Sequence, residues 1–489
     1  LLLETLDEIS SCSAEFLSRM QRAFYMHSVG LGESPLLEDI YSNNSELFSH
    51  QTIASLRKMK SSNEIINKRL EYLTEFISVE YVNKTLLPLK QELLDLKSNK
   101  LDQPDGNRLS YYELKQRAFW SAGTEKEEIE NRLKLFTEKK LNGLLQQIFH
   151  GEIRAIHELG YKDHCEMFYH LTGIDPTAWR EMAVKFLEDT SEVYFRNLYD
   201  FKQRYFAGKE RDISRDELFR SLWEQGEDDC FMSIVPTELF IWLIEKTGTG
   251  ALADSLKLEL SSHIGRAFCS VLNVPNDIRL VIGQGGGFHQ IRDLMHEAGH
   301  ALHYASVSEN LPFEFSRLGD DSVSEAYAAL LENLVYDPNW LETAAGADKI
   351  QKSELISFLK FYKLTKLRSI ALKSIYEIDV YSGLSEEVLK ANYSFCHKQH
   401  LGVDVKEHEY RTETEPFLFS MRYFRAQILA CNLRQRLETS FGVDWFENRE
   451  AFKGLVRLWR SGQQYSPEEI SETYCGKRLS EADITSEFK

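Results

Sequence analysis

The chain lacks a cysteine framework. Its seven cysteines, at 12, 165, 230, 269, 396, 431 and 475, are odd in number, widely scattered and without a C-x-x-C pair. That excludes a small disulfide scaffold and points to free thiols in a reducing compartment, so a cytoplasmic setting is expected. No apolar run approaches the ~18 residues that cross a bilayer. The longest candidates, such as Leu239 to Ile244, are core-sized, and no membrane partner is expected. Positive charge is also scarce: 58 basic residues face 76 acidic ones, a formal charge of −18. This balance argues against nucleic acid and favours solubility, and an acidic cleft would attract cationic peptides. Finally, Gly283-Gln284-Gly285-Gly286-Gly287 is not followed by Gly-Lys-Ser/Thr, and the dinucleotide spacing fails at Phe288. These glycines therefore read as a turn or an adjustable loop, not a nucleotide site.

With 43% hydrophobic content in 489 residues, the chain can bury a large core. About three domains would follow from length alone, but the periodicity is helical nearly throughout. Amphipathic segments are expected at roughly 1–29, 52–98, 125–159 and 176–206. Pro88 should kink or end the second of these, Gln103-Pro104-Asp105-Gly106-Asn107 is a turn, and Asp175-Pro176 supplies a cap followed by proline at the first helical position. A polar boundary at Gly208-Lys209-Glu210-Arg211-Asp212 leads into a capping box at Ser214-x-x-Glu217, so an N-terminal helical lobe, 1–208, and a catalytic helical domain, 209–489, are expected. The runs Ile264–Leu272 and Ile278–Ile282 read as a β-hairpin, and helices return near 347–381, 384–399, 416–439 and 448–461. The chain opens on Leu1-Leu2-Leu3 and not on Met, which leaves room for residues upstream.

The informative stretch is His296-Glu297-Ala298-Gly299-His300. Histidines at i and i+4 leave one helix face together and converge on a tetrahedral zinc, while Glu297 falls beside the open coordination position as a general base. Chance would produce the pattern in about three such chains per hundred. Ile291, Leu294, Met295, Ala298, Ala301 and Leu302 strengthen it by giving the helix a buried face. The competing reading is a core helix with satisfied histidines. A third ligand is needed, and Glu325, 25 residues past His300 at the start of a second helix, is the candidate. Ser322-x-x-Glu325 also fits a capping box, in which Glu325 would only serve a backbone N–H. Glu332, two turns on, could orient a ligand. His289 and His303 could do the same or be merely satisfied.

His296-Glu297-Ala298-Gly299-His300, followed at this separation by Val323-Ser324-Glu325-Ala326 and Leu331-Glu332-Asn333, resembles the thimet oligopeptidase and oligopeptidase F family of zinc peptidases. A more distant resemblance is to angiotensin-converting enzyme. The likeness is concentrated in about 50 residues. It implies a mostly α, elongated, two-lobed metallopeptidase with a central cleft and a small sheet beside the zinc helix, whose edge pairs with extended peptides. It also implies one Zn2+ per chain on His296, His300 and Glu325, and short peptides as substrates. In that family a late tyrosine and an upstream histidine stabilise the oxyanion. Tyr423, in Pro416-Phe417-Leu418-Phe419-Ser420-Met421-Arg422-Tyr423-Phe424, is the match for the tyrosine. The histidine expected near position 413 is replaced by Glu, which leaves His408, with Tyr410 close by.

The reading is a zinc metallo-oligopeptidase in which Glu297 activates a zinc-bound water and Tyr423 stabilises the oxyanion. Its rival is a non-catalytic helical protein that binds zinc or peptide. Within the enzyme reading, a carboxypeptidase or dipeptidyl carboxypeptidase is the other choice.

Overall fold

Long amphipathic segments with few breakers fold as helices, and the computed structural model is mostly α with small sheets. It describes residues 5–102, 108–206, 211–225, 229–248, 255–261, 267–283, 286–345 and 349–489. The turn at 103–107, the boundary residues 208–210, the first part of the Ile264 run and glycine-loop residues 284 and 285 lie outside these.

The first expected segment is the helix Leu6–Ser28. The expected segment 52–98 is three helices, His50–Lys58, Glu64–Thr85 and Leu87–Ser98, and Pro88 sits in the first turn of the last, where its missing N–H costs nothing. The 125–159 segment runs through Gly123–Phe136 and Asn142–Glu158 with a π-turn at Thr137–Leu141 between them. Asp175 caps Pro176–Asp189 through the Thr177 N–H at 2.9 Å, and the Ser214–Glu217 capping box forms in both directions.

The hairpin is present with a third partner, which the alternation Leu256-Lys257-Leu258-Glu259-Leu260-Ser261 offered and the expectation above did not include. Strands β1 (Leu256–Ser261), β2 (Phe268–Asn273) and β3 (Asp277–Gly283) are ordered β1-β3-β2. The central strand β3 is parallel to β1 and antiparallel to β2, with Leu280 opposite both Leu258 and Cys269. Ile278, Leu280, Val281 and Ile282 are all fully buried, the continuous apolar run expected of a strand covered on both faces. The outer edge of β2 borders the cleft, where Phe268, Cys269 and Val271 form part of the wall.

The largest hydrophobic core draws on residues from Phe149 to Ile484, and a second is built from Ile9 to Met167. Between them lies a cleft of about 690 Å³. It is lined by Tyr72, Glu75, Phe76 and Val79 of Glu64–Thr85, by Met167, Phe168 and Leu171 of His164–Thr172, by the motif helix and by residues of the segment Pro416–Tyr423. Among the described residues no helix is long and apolar enough to cross a membrane.

Candidate active site

The motif lies on the 19-residue helix Phe288–Ser306. Ile291, Leu294, Met295, Ala298, Ala301 and Leu302 are fully buried, so the helix is fixed by its apolar face and His296, Glu297 and His300 line the cleft. It crosses the helix Asp321–Glu332 at Gly299. A Cβ on Gly299 would lie 2.5 Å from the Ala328 Cα and 2.8 Å from the Tyr327 carbonyl, so only glycine permits this approach. The second helix is capped by Asp320, which accepts the Ser322 N–H at 2.9 Å. The capping alternative for Glu325 is thereby set aside, and its carboxylate faces the histidines.

Glu325 Oε2 is 3.6 Å from His296 Nε2 and 3.7 Å from His300 Nε2. A tetrahedral ion with bonds of about 2.1 Å holds its ligand atoms about 3.4 Å apart, so the three donors are spaced for one ion. They are the described residues grouped closely enough to hold a metal. The rings are aimed from behind. His296 Nδ1–H donates to Glu332 Oε2 at 3.0 Å, and Glu332 in turn accepts from Lys366 and, at 2.9 Å, from the Tyr336 hydroxyl. His300 Nδ1 is hydrogen-bonded to Ser324 Oγ at 2.8 Å, an oxygen shared with His303 Nδ1 at 3.1 Å. With each Nδ1 engaged, each Nε2 lone pair is left for a metal.

The electrostatics fit a cation. Burial, then the neighbouring His296 and His303, holds His300 well below its ordinary value, in the neutral ligand form. At His296 burial pulls downward, but Glu332, Glu325 and Glu297 outweigh it. Burial pushes the Glu325 carboxyl up to about 7, with Glu297 and Asp321 adding to the rise against His296. Two imidazoles facing several carboxylates in a desolvated floor form a donor set whose excess negative charge a divalent ion neutralises. Glu297 is itself raised by burial, against His296, and its Oε2 accepts the Cys269 N–H of β2 at 2.8 Å.

Tyr423 lines the same cleft. Burial, followed by the Glu325, Glu415 and Asp321 carboxylates, raises its hydroxyl, which stays a protonated donor. It follows a turn at Pro416–Leu418 in which Phe417 and Leu418 have φ of 51° and 58°, the non-glycine residues at positive φ among those described. Such backbone costs about 1–2 kcal/mol per residue.

His408 is not brought to the cleft. It sits in the turn Glu407–Glu409, where Lys406 pairs with Glu130 at 3.2 Å and Asp216 at 2.7 Å, and its carbonyl accepts from Asn142 at 2.9 Å. Those contacts hold the turn against other helices. Position 413 is likewise outside the cleft lining, its glutamate paired with Lys115 at 3.1 Å and Arg215 at 3.3 Å. His289 stacks on Trp223 with ring centroids 3.5 Å apart. Sequence reasoning missed Ser324, Gly299 and Arg317. Small or polar residues at helix crossings were the available signal for the first two. Arg317 lines the cleft over the Tyr304 ring at 5.1 Å with no carboxylate within 4 Å among the described residues, whereas Arg422 pairs with Glu75 and Asp321 and Lys90 with Glu152.

No family model matches the sequence, and no curated protein does. Solved structures do. The chain aligns over 99% of its length with 96% of the M32 carboxypeptidase of Deinococcus radiodurans R1, at 13% identity and a TM-score of 0.61. Against Trypanosoma cruzi metallocarboxypeptidase 1 the coverage is 99% and 97%, the identity 11% and the TM-score 0.64. A candidate oligoendopeptidase F from Bacillus anthracis is matched over 84% of its chain and 99% of this one, at 17% identity and a TM-score of 0.52. At these identities the likeness establishes the fold. That fold is common to proteins named for both activities, so it does not choose between oligopeptidase F and the carboxypeptidases.

Proposed function

We propose that the chain is a zinc-dependent metallopeptidase that hydrolyses peptide bonds of short peptides, with an N-terminal lobe, 1–208, walling the cleft over a catalytic part, 209–489. The observation that carries this reading is the convergence of His296, His300 and Glu325 beside Glu297 on the floor of a cleft of about 690 Å³. Zinc on these three residues would supply a Lewis acid and lower the pKa of water toward ~7. Glu297 takes the proton of the attacking water on its carboxylate and later delivers it to the leaving amine. The Tyr423 hydroxyl donates to the carbonyl oxygen as charge develops there. The outer edge of β2 offers its remaining main-chain groups to an extended substrate. The six described cysteines are free thiols, which supports a reducing, cytoplasmic setting.

The test is metal content measured with cleavage of a quenched fluorescent peptide pool. Stoichiometric zinc and chelator-sensitive cleavage are expected. Zinc bound without cleavage would establish the non-catalytic alternative. A second reading, removal of C-terminal residues, is favoured by Arg317, a cleft cation with no carboxylate partner among the described residues that suits a substrate's terminal carboxylate. Amidating the C-terminus of a ten-residue substrate separates the two, because only the carboxypeptidase loses it.

A further inference from the structure

The helix Phe419–Phe441 carries Tyr423 yet begins without a side-chain cap of its own, since its N-cap residue is the apolar, left-handed Leu418. Its first N–H groups are served from another helix. Glu377, fully buried on Lys349–Tyr381, accepts the Ser420 N–H at 3.0 Å on one oxygen. On the other it accepts the Ser420 hydroxyl at 2.6 Å and the Glu415 N–H at 2.7 Å. A carboxylate is favoured at a helix N-terminus by the aligned peptide dipoles. This one also ties residue 415 to residue 420 across the two left-handed residues. Lys373 and Tyr381, four residues to either side on the same helix face, grip the same segment. Lys373 Nζ donates to Glu415 Oε1 at 2.7 Å and the Tyr381 hydroxyl to the Glu415 carbonyl at 2.9 Å.

We infer that Glu377 is a positioning residue for Tyr423: by clamping Glu415 and Ser420 it holds the Phe417–Leu418 turn in its left-handed form and fixes where the following helix presents the tyrosine. A turn held in disfavoured φ persists only while its surroundings impose it, so losing the clamp lets it relax and moves the helix start. Phe419 packs edge-on against the Tyr423 ring with centroids 5.0 Å apart, which transmits that movement to the cleft. A shift of about 1 Å in a catalytic group can cost about 10²-fold in rate. The inference rests on the role proposed above for Tyr423.

The experiment is a double-mutant cycle between Glu377→Gln and Tyr423→Phe, read as kcat and KM with bound metal quantified. Glutamine keeps the volume and one acceptor. Glu377→Gln is expected to lower kcat by about tenfold, part of that misplacement cost, while KM stays within about twofold and metal content is unchanged. In the Tyr423→Phe background the same change should cost nothing further, because the group it positions is gone. Ser420→Ala, which removes one of the three donors, should show a smaller version of this pattern and serves if Glu377→Gln does not fold. An equal fall in both backgrounds, a joint shift of KM and kcat, or no fall at all would overturn the inference and leave the role of Tyr423 standing. If Tyr423→Phe alone leaves kcat unchanged, that role is lost and this inference with it.

Discussion

The two faces of the cleft are built by different means. On the metal side, two regular helices cross at Gly299, their apolar faces fill the core, and the ring nitrogens turned away from the ligand point are held by Glu332 and Ser324. On the Tyr423 side a helix starts from two left-handed residues and is held by Glu377, Lys373 and Tyr381 of one distant helix. The segment leading into that turn is anchored by Glu409 and Glu413 to Lys115 and Arg215. The helices of the first are fixed by apolar packing, which is insensitive to charge, and only the aim of their rings depends on polar partners. The second depends on polar contacts between residues far apart in sequence, and it is the one that pH or a single polar substitution should loosen.

The strongest test of the metal face is to remove its chemistry and keep its shape. Glu297→Gln should retain zinc and bind peptide while hydrolysis falls by about 10²- to 10⁴-fold, whereas Glu325→Ala should lose the metal itself. Metal analysis beside turnover measurements checks both, and Glu325→Ala with full zinc would remove Glu325 from the ligand set.

On the Tyr423 side, Tyr423→Phe should lower kcat by about 10²-fold with zinc and fold preserved. If it raises KM instead, the tyrosine holds ground-state substrate and the two faces do not divide the chemistry as proposed.

Glu332→Gln weakens the support behind His296 without touching the donor atoms. Metal affinity should drop by about 10- to 100-fold, with turnover largely restored at saturating zinc. A competitive chelator titration measures this, and an unchanged affinity would mean that packing alone orients the ring. Gly299→Ala probes that packing directly. Its methyl meets main-chain atoms that cannot rotate away, so a loss of about 1–3 kcal/mol is expected in chemical unfolding.

The smallest effect concerns acid. Burial alone would raise Glu413, but Arg215 and Lys115 outweigh it and hold the carboxyl far below its ordinary range. A depressed carboxyl contributes stability that is complete above its unfolded value of about 4.3 and declines as pH falls through that value toward the folded one. Wild type should therefore melt above Glu413→Gln at pH 7, and the gap should narrow at pH 3. A gap independent of pH would show that Glu413 acts through packing and not through its charge.

Legibility followed the same division. The motif helix could be read because histidine spacing and the apolar stripe repeat at the helical period, a local property of neighbouring residues. Glu325 was found by its place 25 residues past His300 near the start of the next periodic segment and by the family resemblance. Strand β1 escaped although Leu256-Lys257-Leu258-Glu259-Leu260-Ser261 alternates apolar and polar residues, a strand signal available in the sequence, and it is set in place by its pairing with β3. His408 was chosen for its distance in sequence from Tyr423, and ion pairs of Lys406 with Glu130 and Asp216 place its turn elsewhere.

By itself the sequence determined that the protein is mostly helical, that two imidazoles leave one helix face with a glutamate beside them, and that Glu325 follows near the start of a second helix. These follow from periodicity and residue chemistry over a few turns. Only the tertiary structure decided that Glu332 and Ser324 stand behind the imidazoles, that Gly299 is where the helices touch, that Glu413 is structural, and that Glu377 reaches across to cap the helix of Tyr423. Each of those contacts joins residues 24 to 298 positions apart, and no local pattern specifies which distant partner a buried polar group will find.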